Sequence, residues 1–244
     1  MAGDRLQHIL AKMSSGGTAG PESARLCEVC ADVARMTGAG IMLMSGDVQQ
    51  GSVCSSNEVS ALIEELQFTL GEGPCVDAHQ GNRPVFEPDL ADPATARWFG
   101  FTPPAVAAGA RAVFGFPLQV GAVRLGALNL YRDQPGPMTD DQYADSLVLA
   151  GVAAQAVLAI QSHAPPGALA TELEEGANFQ FVVHQASGMV SVQLGVSVGE
   201  ALVRLRAYAF GSDRPLADVA EAVVARKLRF DDGPTGSSPG SSYV

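Results

Sequence analysis

The chain has 244 residues, enough for one large domain or two modest ones with a buried core. Its formal net charge of −11 argues, taken alone, against a nucleic-acid partner. No signal-type apolar stretch follows the first residues, and no apolar run approaches the roughly 20 residues that span a bilayer. A cytoplasmic protein without membrane contact is therefore expected.

The first predicted elements are helices and a strand pair. A short helix over residues 3–13 and an amphipathic helix over Pro21–Met36 precede two strands, Ile41–Met44 and Gly51–Cys54. Ser55 and Glu58 have the spacing of a capping box, which predicts a helix running to about Thr69.

A looser region follows. Glycine, proline and aspartate are frequent from Gly71 to Gly109, and long irregular stretches inside a domain often form a lid or a pocket wall. Two apolar strands, Arg111–Val120 and Val123–Arg132, then form a predicted hairpin around Gly121. The elements together predict an α+β domain, an antiparallel sheet flanked by helices.

A helix that is apolar nearly all round is predicted from Thr139 to about Ser162. Such a helix is buried on more than one side, which predicts contact with its own sheet and with a second subunit. Residues 3–13 are a second candidate for that homodimer interface.

The four cysteines lie in the first third of the chain, at Cys27, Cys30, Cys54 and Cys75. In a chain without a signal segment they predict reduced thiols rather than a disulfide framework. Cys27 and Cys30 form a single CxxC pair, for which buried core residues are a better interpretation than a metal site. No metal and no cofactor are expected.

The end of the chain predicts a separate all-α module. Residues 164–170 include the sequence Ala164–Gly167, which marks a linker, and three apolar helical runs follow. The first begins at Phe179 and ends at Gly195, the second follows the N-cap residue Ser197, and the third opens near Pro215. Residues 231–244 have the composition of a disordered tail.

The charge of this module differs from that of the whole chain. Residues 178–230 contain six basic and four acidic side chains, a balance of +2. Such an asymmetry suggests different functions for the two regions, although +2 falls short of a basic patch.

Four segments of the first region match a known family. They are Gly71–Cys75, Arg97–Phe99, Arg111–Leu118 and Gly126–Tyr131. On these motifs, residues 21–163 resemble a GAF sensor domain of bacterial regulators, preceded by an N-terminal helix and linker over residues 1–20. The resemblance implies a small-molecule pocket over the sheet, for which Cys75, Trp98, Phe99 and Arg111 are the candidate lining residues.

The C-terminal module resembles a second family over residues 171–230. The matching residues are Ala186–Met189, then Ala201, Leu205, Arg206 and Ala209, then Arg214, Leu216, Asp218, Val219 and Ala220. They are similar to the ANTAR domain, a three-helix RNA-binding module of transcription antitermination regulators. Ser187 occupies a position that is often lysine in that family, which makes this copy less basic.

Seven residues are the candidate RNA contacts. Arg204 and Arg206 are expected at the borders of the second helix's apolar face with their charged ends in solvent, either contacting RNA or covering the core. Gly188 lies nearly opposite the apolar stripe of the first helix, in a row with Phe181, Gln185 and Val192, which predicts a second face for a partner helix or for RNA. The full candidate set is Gln185, Ser187, Gly188, Arg204, Arg206, Arg214 and Arg226.

The domain order resembles that of actinobacterial antiterminators. It implies a cytoplasmic, dimeric, signal-responsive regulator without enzymatic activity that binds hairpin loops in nascent transcripts and responds to an unidentified small molecule. Two alternatives remain open. One is a GAF-fold thiol enzyme of the methionine sulfoxide reductase type that uses Cys75, and the other is a ligand-binding dimer whose last three helices bind protein.

Overall fold

A computed structural model describes residues 2–14, 22–46, 48–95, 97–162, 178–179 and 181–230. The predicted linker at 164–170 and the predicted tail at 231–244 lie outside these residues. The chain divides into two compact units, one ending at residue 180 and one beginning at residue 181.

The N-terminal unit is built from six helices and six strands within the described residues. In chain order they are α1 (Ala2–Ser14), α2 (Glu22–Ala34), β1 (Gly38–Ser45), β2 (Val48–Ser55), α3 (Glu58–Leu70), α4 (Pro74–Gly81), β3 (Val85–Glu87), α5 (Thr102–Ala107), β4 (Ala112–Val120), β5 (Val123–Arg132), α6 (Asp140–Gln161) and β6 (Asn178–Phe179). The region from Gly71 to Gly109, predicted to be irregular, therefore contains two helices and an edge strand.

The strands form one antiparallel sheet in the order β3-β4-β5-β1-β2-β6. The predicted hairpin is confirmed as β4 and β5, with Gly121 at a left-handed φ of 59° in its turn. Phe179 pairs with Gly51 in this sheet, so the prediction that Phe179 begins the first C-terminal helix was wrong.

One face of the sheet carries an apolar core. Strand alternation directs Ile41, Leu43, Phe114, Leu128 and Leu130 into a cluster with the buried residues of α2 and α6. The helix α1 packs against α2 and α6, and Arg5 forms ion pairs with Asp141 and Asp145. Helices α3 and α4 contact the sheet from the other face, through β1, β2, β4 and β5.

Two of the helix starts in this unit are fixed by capping boxes. At α6 the cap is Thr139 with Gln142, at the predicted position. At α3 the box is formed by Asn57 with Ser60, so the prediction that Ser55 and Glu58 form it was wrong. The physical reason is that Ser55 belongs to β2, whereas the extended backbone of Asn57 lets its side chain accept from the Ser60 N–H.

Cys27 and Cys54 form a disulfide that joins α2 to β2. The expectation of four reduced thiols was therefore wrong. The two cysteines are 27 positions apart in sequence, and they come together only because α2 packs on the sheet. Cys30 and Cys75 are free and buried, and burial raises the pKa of Cys30 to about 12.

By length and composition, α6 is able to cross a membrane. The sequence had suggested no such segment. About 33% of its apolar window is buried inside the protein, where Leu149, Ala153 and Val157 join the core against the sheet. Two large residues of the same helix, Tyr143 and Leu147, are exposed.

The C-terminal unit is a three-helix bundle of α7 (Phe181–Leu194), α8 (Val198–Gly211) and α9 (Leu216–Val224). Its core consists of small and branched apolar residues at helical spacing, namely Val183, Ala186, Val190, Ala201, Leu202, Leu205, Ala209, Leu216, Val219, Ala220 and Val223. Ser197 caps α8 as predicted, by accepting from the Glu200 N–H. Pro215 stands at the N-cap of α9.

Candidate functional site

The face of the sheet under α3 and α4 carries buried polar side chains. We call them the polar cluster: Gln49 of β2, Glu64 and Gln67 of α3, Cys75 and His79 of α4, and Asn129 of β5, all at most 2% exposed. Asn129 lies between Leu128 and Leu130 on its strand, so it points away from the apolar core. The sheet therefore has one apolar face and one polar buried face.

Within this cluster, Glu64 lies above a glycine of the sheet. Gly40 pairs with Asn129 across β1 and β5, and a Cβ on Gly40 would lie 2.6 Å from Glu64 Oε1. The missing side chain thus makes room for the carboxylate. Burial raises the pKa of Glu64 to about 8, and the Asn129 amide offsets part of that rise.

Backbone contacts hold the surrounding polar groups in place. The Cys75 N–H donates to Gln67 Oε1 at 2.7 Å, and Gln49 Nε2 donates to the Gln67 carbonyl at 3.1 Å. The His79 ring lies between two carbonyls, with Nε2 2.8 Å from the Gly46 oxygen and Nδ1 3.4 Å from the Gly126 oxygen. These contacts tie α3 and α4 to β2 and to the β1 and β5 strand ends.

The four predicted pocket residues have different surroundings, and only Cys75 belongs to the polar cluster. Cys75 is in α4 rather than in a loop. Trp98 packs edge-on against Phe101 and donates from Nε1 to Asp77 Oδ2 at 3.1 Å. Phe99 is 83% exposed, and Arg111 forms an ion pair with Asp89 at 3.0 Å. Their association in one ligand pocket stays a prediction.

The Cys75 thiol lacks the surroundings of a catalytic cysteine. Burial raises its pKa well above the ordinary value, Glu64 adds to the rise, and the Gln67 hydrogen bond offsets part of it. A nucleophilic cysteine needs an accessible thiolate, which an electropositive setting favours and a buried setting near a carboxylate opposes.

Sequence reasoning missed Glu64, Gln67 and Asn129 as site residues. The sequence did contain a signal for Glu64 and Gln67 of α3. Both belong to a set of residues at helical spacing that the structure shows to be buried, namely Ser60, Ile63, Glu64, Gln67 and Phe68. Polar residues inside the apolar stripe of a helix indicate a buried polar site. For Asn129 the signal was a polar residue between the core leucines of β5.

On the C-terminal bundle three of the predicted RNA-binding arginines are exposed. Arg204 pairs with Glu200 one turn away at 3.3 Å, and Arg214 donates to the Asp218 carbonyl at 3.3 Å. Arg226 follows α9 in a left-handed backbone conformation with φ of 59°. Exposed pairs of this kind contribute little stability, so the guanidinium groups can change partners at low cost.

Arg206 differs from the other three. Its side chain is half-buried, its Nε atom is buried, and burial lowers the pKa of the guanidinium to about 10. The expectation that Arg206 holds its charged end in solvent was therefore wrong, because the group lies closer to the bundle core than its position on a helical wheel suggests.

Ser187 is fully buried, and its hydroxyl donates to the Val183 carbonyl one turn earlier at 2.8 Å. The inclusion of Ser187 among the candidate RNA contacts at the surface is therefore corrected.

Its neighbour Gly188 does lie on the predicted second face. A Cβ there would meet nothing within 4 Å, and the same row holds exposed Phe181, Gln185 and Val192.

Two family models match the chain. A GAF domain model matches residues 23–161, and an ANTAR domain model matches residues 171–224. Among curated proteins, no sequence matches this chain.

Solved structures similar to the N-terminal unit include three examples at low identity. The first is the GAF domain of an Acinetobacter phosphoenolpyruvate-protein phosphotransferase, with a TM-score of 0.49 and 16% identity over 67% of this chain and 96% of that chain. The second is a domain of a two-component sensor histidine kinase protein from Sinorhizobium meliloti, with a TM-score of 0.46 and 15% identity over 59% of this chain and 93% of that chain. The third is a type II free methionine-R-sulfoxide reductase from Thermoplasma acidophilum, with a TM-score of 0.41 and 15% identity over 62% and 94%. The family assignment rests on the two models and not on these structures.

Proposed function

Because this chain belongs to the regulators that join a GAF domain to an ANTAR domain, we propose that it promotes transcription antitermination at hairpin-containing leader RNA in response to a signal. GAF domains are sensor domains, and ANTAR domains are RNA-binding antiterminator domains. The hairpin target, the homodimeric state and the cytoplasmic location are parts of this proposal.

The observation that carries the proposal is the set of three exposed arginines on the bundle surface, Arg204, Arg214 and Arg226. Guanidinium groups bind phosphates in a bidentate manner and stack on unpaired bases. Single-stranded loops offer bases that a closed A-form groove hides, so a small helical module with exposed arginines suits hairpin loops.

The proposed homodimer uses the exposed apolar residues of the N-terminal unit. Tyr143 and Leu147 of α6 are exposed, as are Leu6 and Leu10 of α1, which packs against α6. Exposed apolar residues of this kind are candidates for an interface. A Leu147→Asp variant is expected to sediment as a monomer while the wild type sediments as a dimer.

The experiment that tests the function is a transcription readthrough assay. The template encodes a leader with two hairpins before a terminator, and the variants are the triple Arg204→Ala, Arg214→Ala, Arg226→Ala and the control Arg83→Ala. Arg83 is an exposed arginine of the N-terminal unit. Wild type and the control should raise readthrough, and the triple variant should not. Equal readthrough with the triple variant, or none with the wild type, would contradict the proposal.

The exposed row on α7 supports a second candidate, in which the bundle contacts a protein helix. Phe181 is 60% and Val192 84% exposed on either side of Gly188, which would let another helix approach closely. A Val192→Asp variant that binds RNA normally but loses readthrough would support the protein contact. Loss of RNA binding would instead assign this face to RNA.

A further inference from the structure

A run of basic residues follows the last helix of the bundle. Residues 225–230, which we call the cationic segment, include Arg226, Lys227 and Arg229, and all three are exposed. Within the described residues none of the three belongs to an ion pair. The ANTAR model matches residues 171–224, so these cations lie beyond the matched part of the chain. Their role therefore does not follow from the family match.

The cationic segment supplies the positive charge of the bundle. Residues 181–224 contain three basic and four acidic side chains, a balance of −1, and the three cations of the segment change this balance to +2. Asp231 and Asp232 follow in the sequence, outside the described residues. Concentrated positive charge attracts a polyanion, and in this bundle three cations fall within four consecutive positions.

The other arginines of the bundle have contacts of their own. Arg204 pairs with Glu200, and Arg214 donates to the Asp218 carbonyl. Arg206 is half-buried. A phosphate that binds to one of these groups must displace an existing contact or reach a partly covered one. At the cationic segment no ion pair within the described residues has to break.

Contacts with α7 and α8 hold the cationic segment against the bundle. The ring of Phe230, the last residue of the segment, packs edge-on against Tyr208 of α8, with centroids 5.4 Å apart. The Phe230 N–H donates to Gln193 Oε1 of α7 at 2.9 Å. The segment is therefore ordered before any ligand binds, which lowers the entropic cost of binding.

The turn from α9 into the segment uses a backbone conformation that favours glycine. Arg226 has a φ of 59°, in the left-handed region. The N–H groups of Lys227 and Leu228 both donate to the Ala222 carbonyl, at 2.8 and 3.0 Å, and close the turn. Arginine at this position costs backbone strain that glycine would avoid. A need for the charge explains Arg226 better than a need for the turn.

We propose that the cationic segment binds the phosphate backbone of the RNA, so that Lys227 and Arg229 join Arg226 as phosphate contacts beyond the three helices. This inference rests on the RNA-binding function proposed for the bundle and extends its contact surface. Phosphate contacts set affinity and salt dependence and carry no sequence information. The contribution of the segment should therefore be the same for hairpins with different loop sequences.

The test is the salt dependence of RNA affinity, measured by fluorescence anisotropy with the full chain and a labelled two-hairpin leader RNA. The variant is the double Lys227→Ala, Arg229→Ala, and the control is Lys227→Arg, Arg229→Lys, which keeps both charges. Two phosphate contacts contribute about 1.4 to 1.8 to the slope of log affinity against log salt concentration. The double variant should lose that amount and bind roughly tenfold more weakly at low salt, while the control should match the wild type. A leader with altered loop sequences should show the same loss of slope.

Urea unfolding separates phosphate contact from a purely structural role, because cations near a helix C-terminus also stabilise the helix. The double variant should unfold at nearly the wild-type urea concentration. A lower unfolding midpoint with an unchanged salt slope would assign both residues to the end of α9 and overturn the proposal.

An unchanged slope and affinity in the double variant, with a wild type that binds the RNA, would also overturn it and leave the proposed function intact. Absence of RNA binding by the wild type would instead contradict the proposed function itself.

Discussion

The N-terminal unit buries its polar cluster between the sheet and helices α3 and α4, whereas the C-terminal bundle places three of its arginines, Arg204, Arg214 and Arg226, at the surface. Glu64 is 1% exposed, while Arg204, Arg214 and Arg226 are exposed. A buried carboxylate reduces the stability of the folded state and is useful where a small ligand can be enclosed. Surface arginines carry little such cost and suit a large polyanion that approaches from solvent.

The largest expected effect concerns the buried carboxylate. Folding raises the pKa of Glu64 from 4.5 to about 8, so the folded state holds the proton more tightly than the unfolded state. The free energy of unfolding should therefore fall as pH rises from about 4.5 to about 8, by about 1.4 kcal/mol per pH unit from this group. Glu64→Gln removes this loss. The free energy of unfolding of the variant, relative to that of the wild type, should therefore increase from about pH 4.5 to about pH 8 and remain constant above pH 8.

Urea unfolding at several pH values measures this difference. The Glu65→Gln variant is the control and should follow the wild type. If the difference in unfolding free energy between Glu64→Gln and the wild type is the same at pH 5 and pH 8, Glu64 is not a buried proton-binding group. The contrast between the two units would then disappear.

The second expected effect concerns the disulfide, which distinguishes the two units because all four cysteines lie in the N-terminal unit. The Cys27–Cys54 disulfide closes a loop of 27 residues. Such a cross-link contributes roughly 3 kcal/mol through the entropy of the unfolded chain. A reducing agent should lower the unfolding free energy of the N-terminal unit by about that amount and leave α7, α8 and α9 unchanged, as measured by hydrogen exchange of each unit. Equal loss of protection in the bundle would contradict this assignment.

The smallest expected effect concerns Ser187. Its hydroxyl is buried and donates only to its own helix at Val183. Ser187→Ala should change stability by less than about 1 kcal/mol and leave RNA affinity unchanged, because the side chain does not reach solvent. Fluorescence anisotropy with a labelled hairpin measures the affinity. A large loss of RNA affinity would show that the serine is exposed in the complex and that the bundle rearranges on binding.

Local signals predicted much of the fold. Ser197 was recognisable as an N-cap, because capping is a local interaction between residues three positions apart, and the start of α6 at Thr139 was also predicted. The hairpin at Gly121 and the helical runs of the bundle follow from turn chemistry and periodicity. The family motifs led to the domain assignment, which charge counting would not have supported.

Features that depend on three-dimensional packing were not predicted. The Cys27–Cys54 disulfide joins elements that are distant in sequence, and Glu64 acquires its environment from Gly40 and Asn129 on two other elements. In the bundle, Ser187 and Gly188 are adjacent in sequence, but one is fully buried and the other meets open space. A helical wheel gives the direction of a side chain, but the position of the neighbouring helices decides whether that direction is covered.

The most direct test of the account is the salt dependence of RNA affinity. The full chain is titrated with a two-hairpin leader RNA at several salt concentrations, using the wild type, the triple variant Arg204→Ala, Arg214→Ala, Arg226→Ala and the control Arg83→Ala. Each phosphate contact contributes about 0.7 to 0.9 to the slope of log affinity against log salt concentration. The account predicts that the triple variant loses roughly 2 from that slope and binds more weakly, while the control matches the wild type. An unchanged slope and affinity in the triple variant would contradict it.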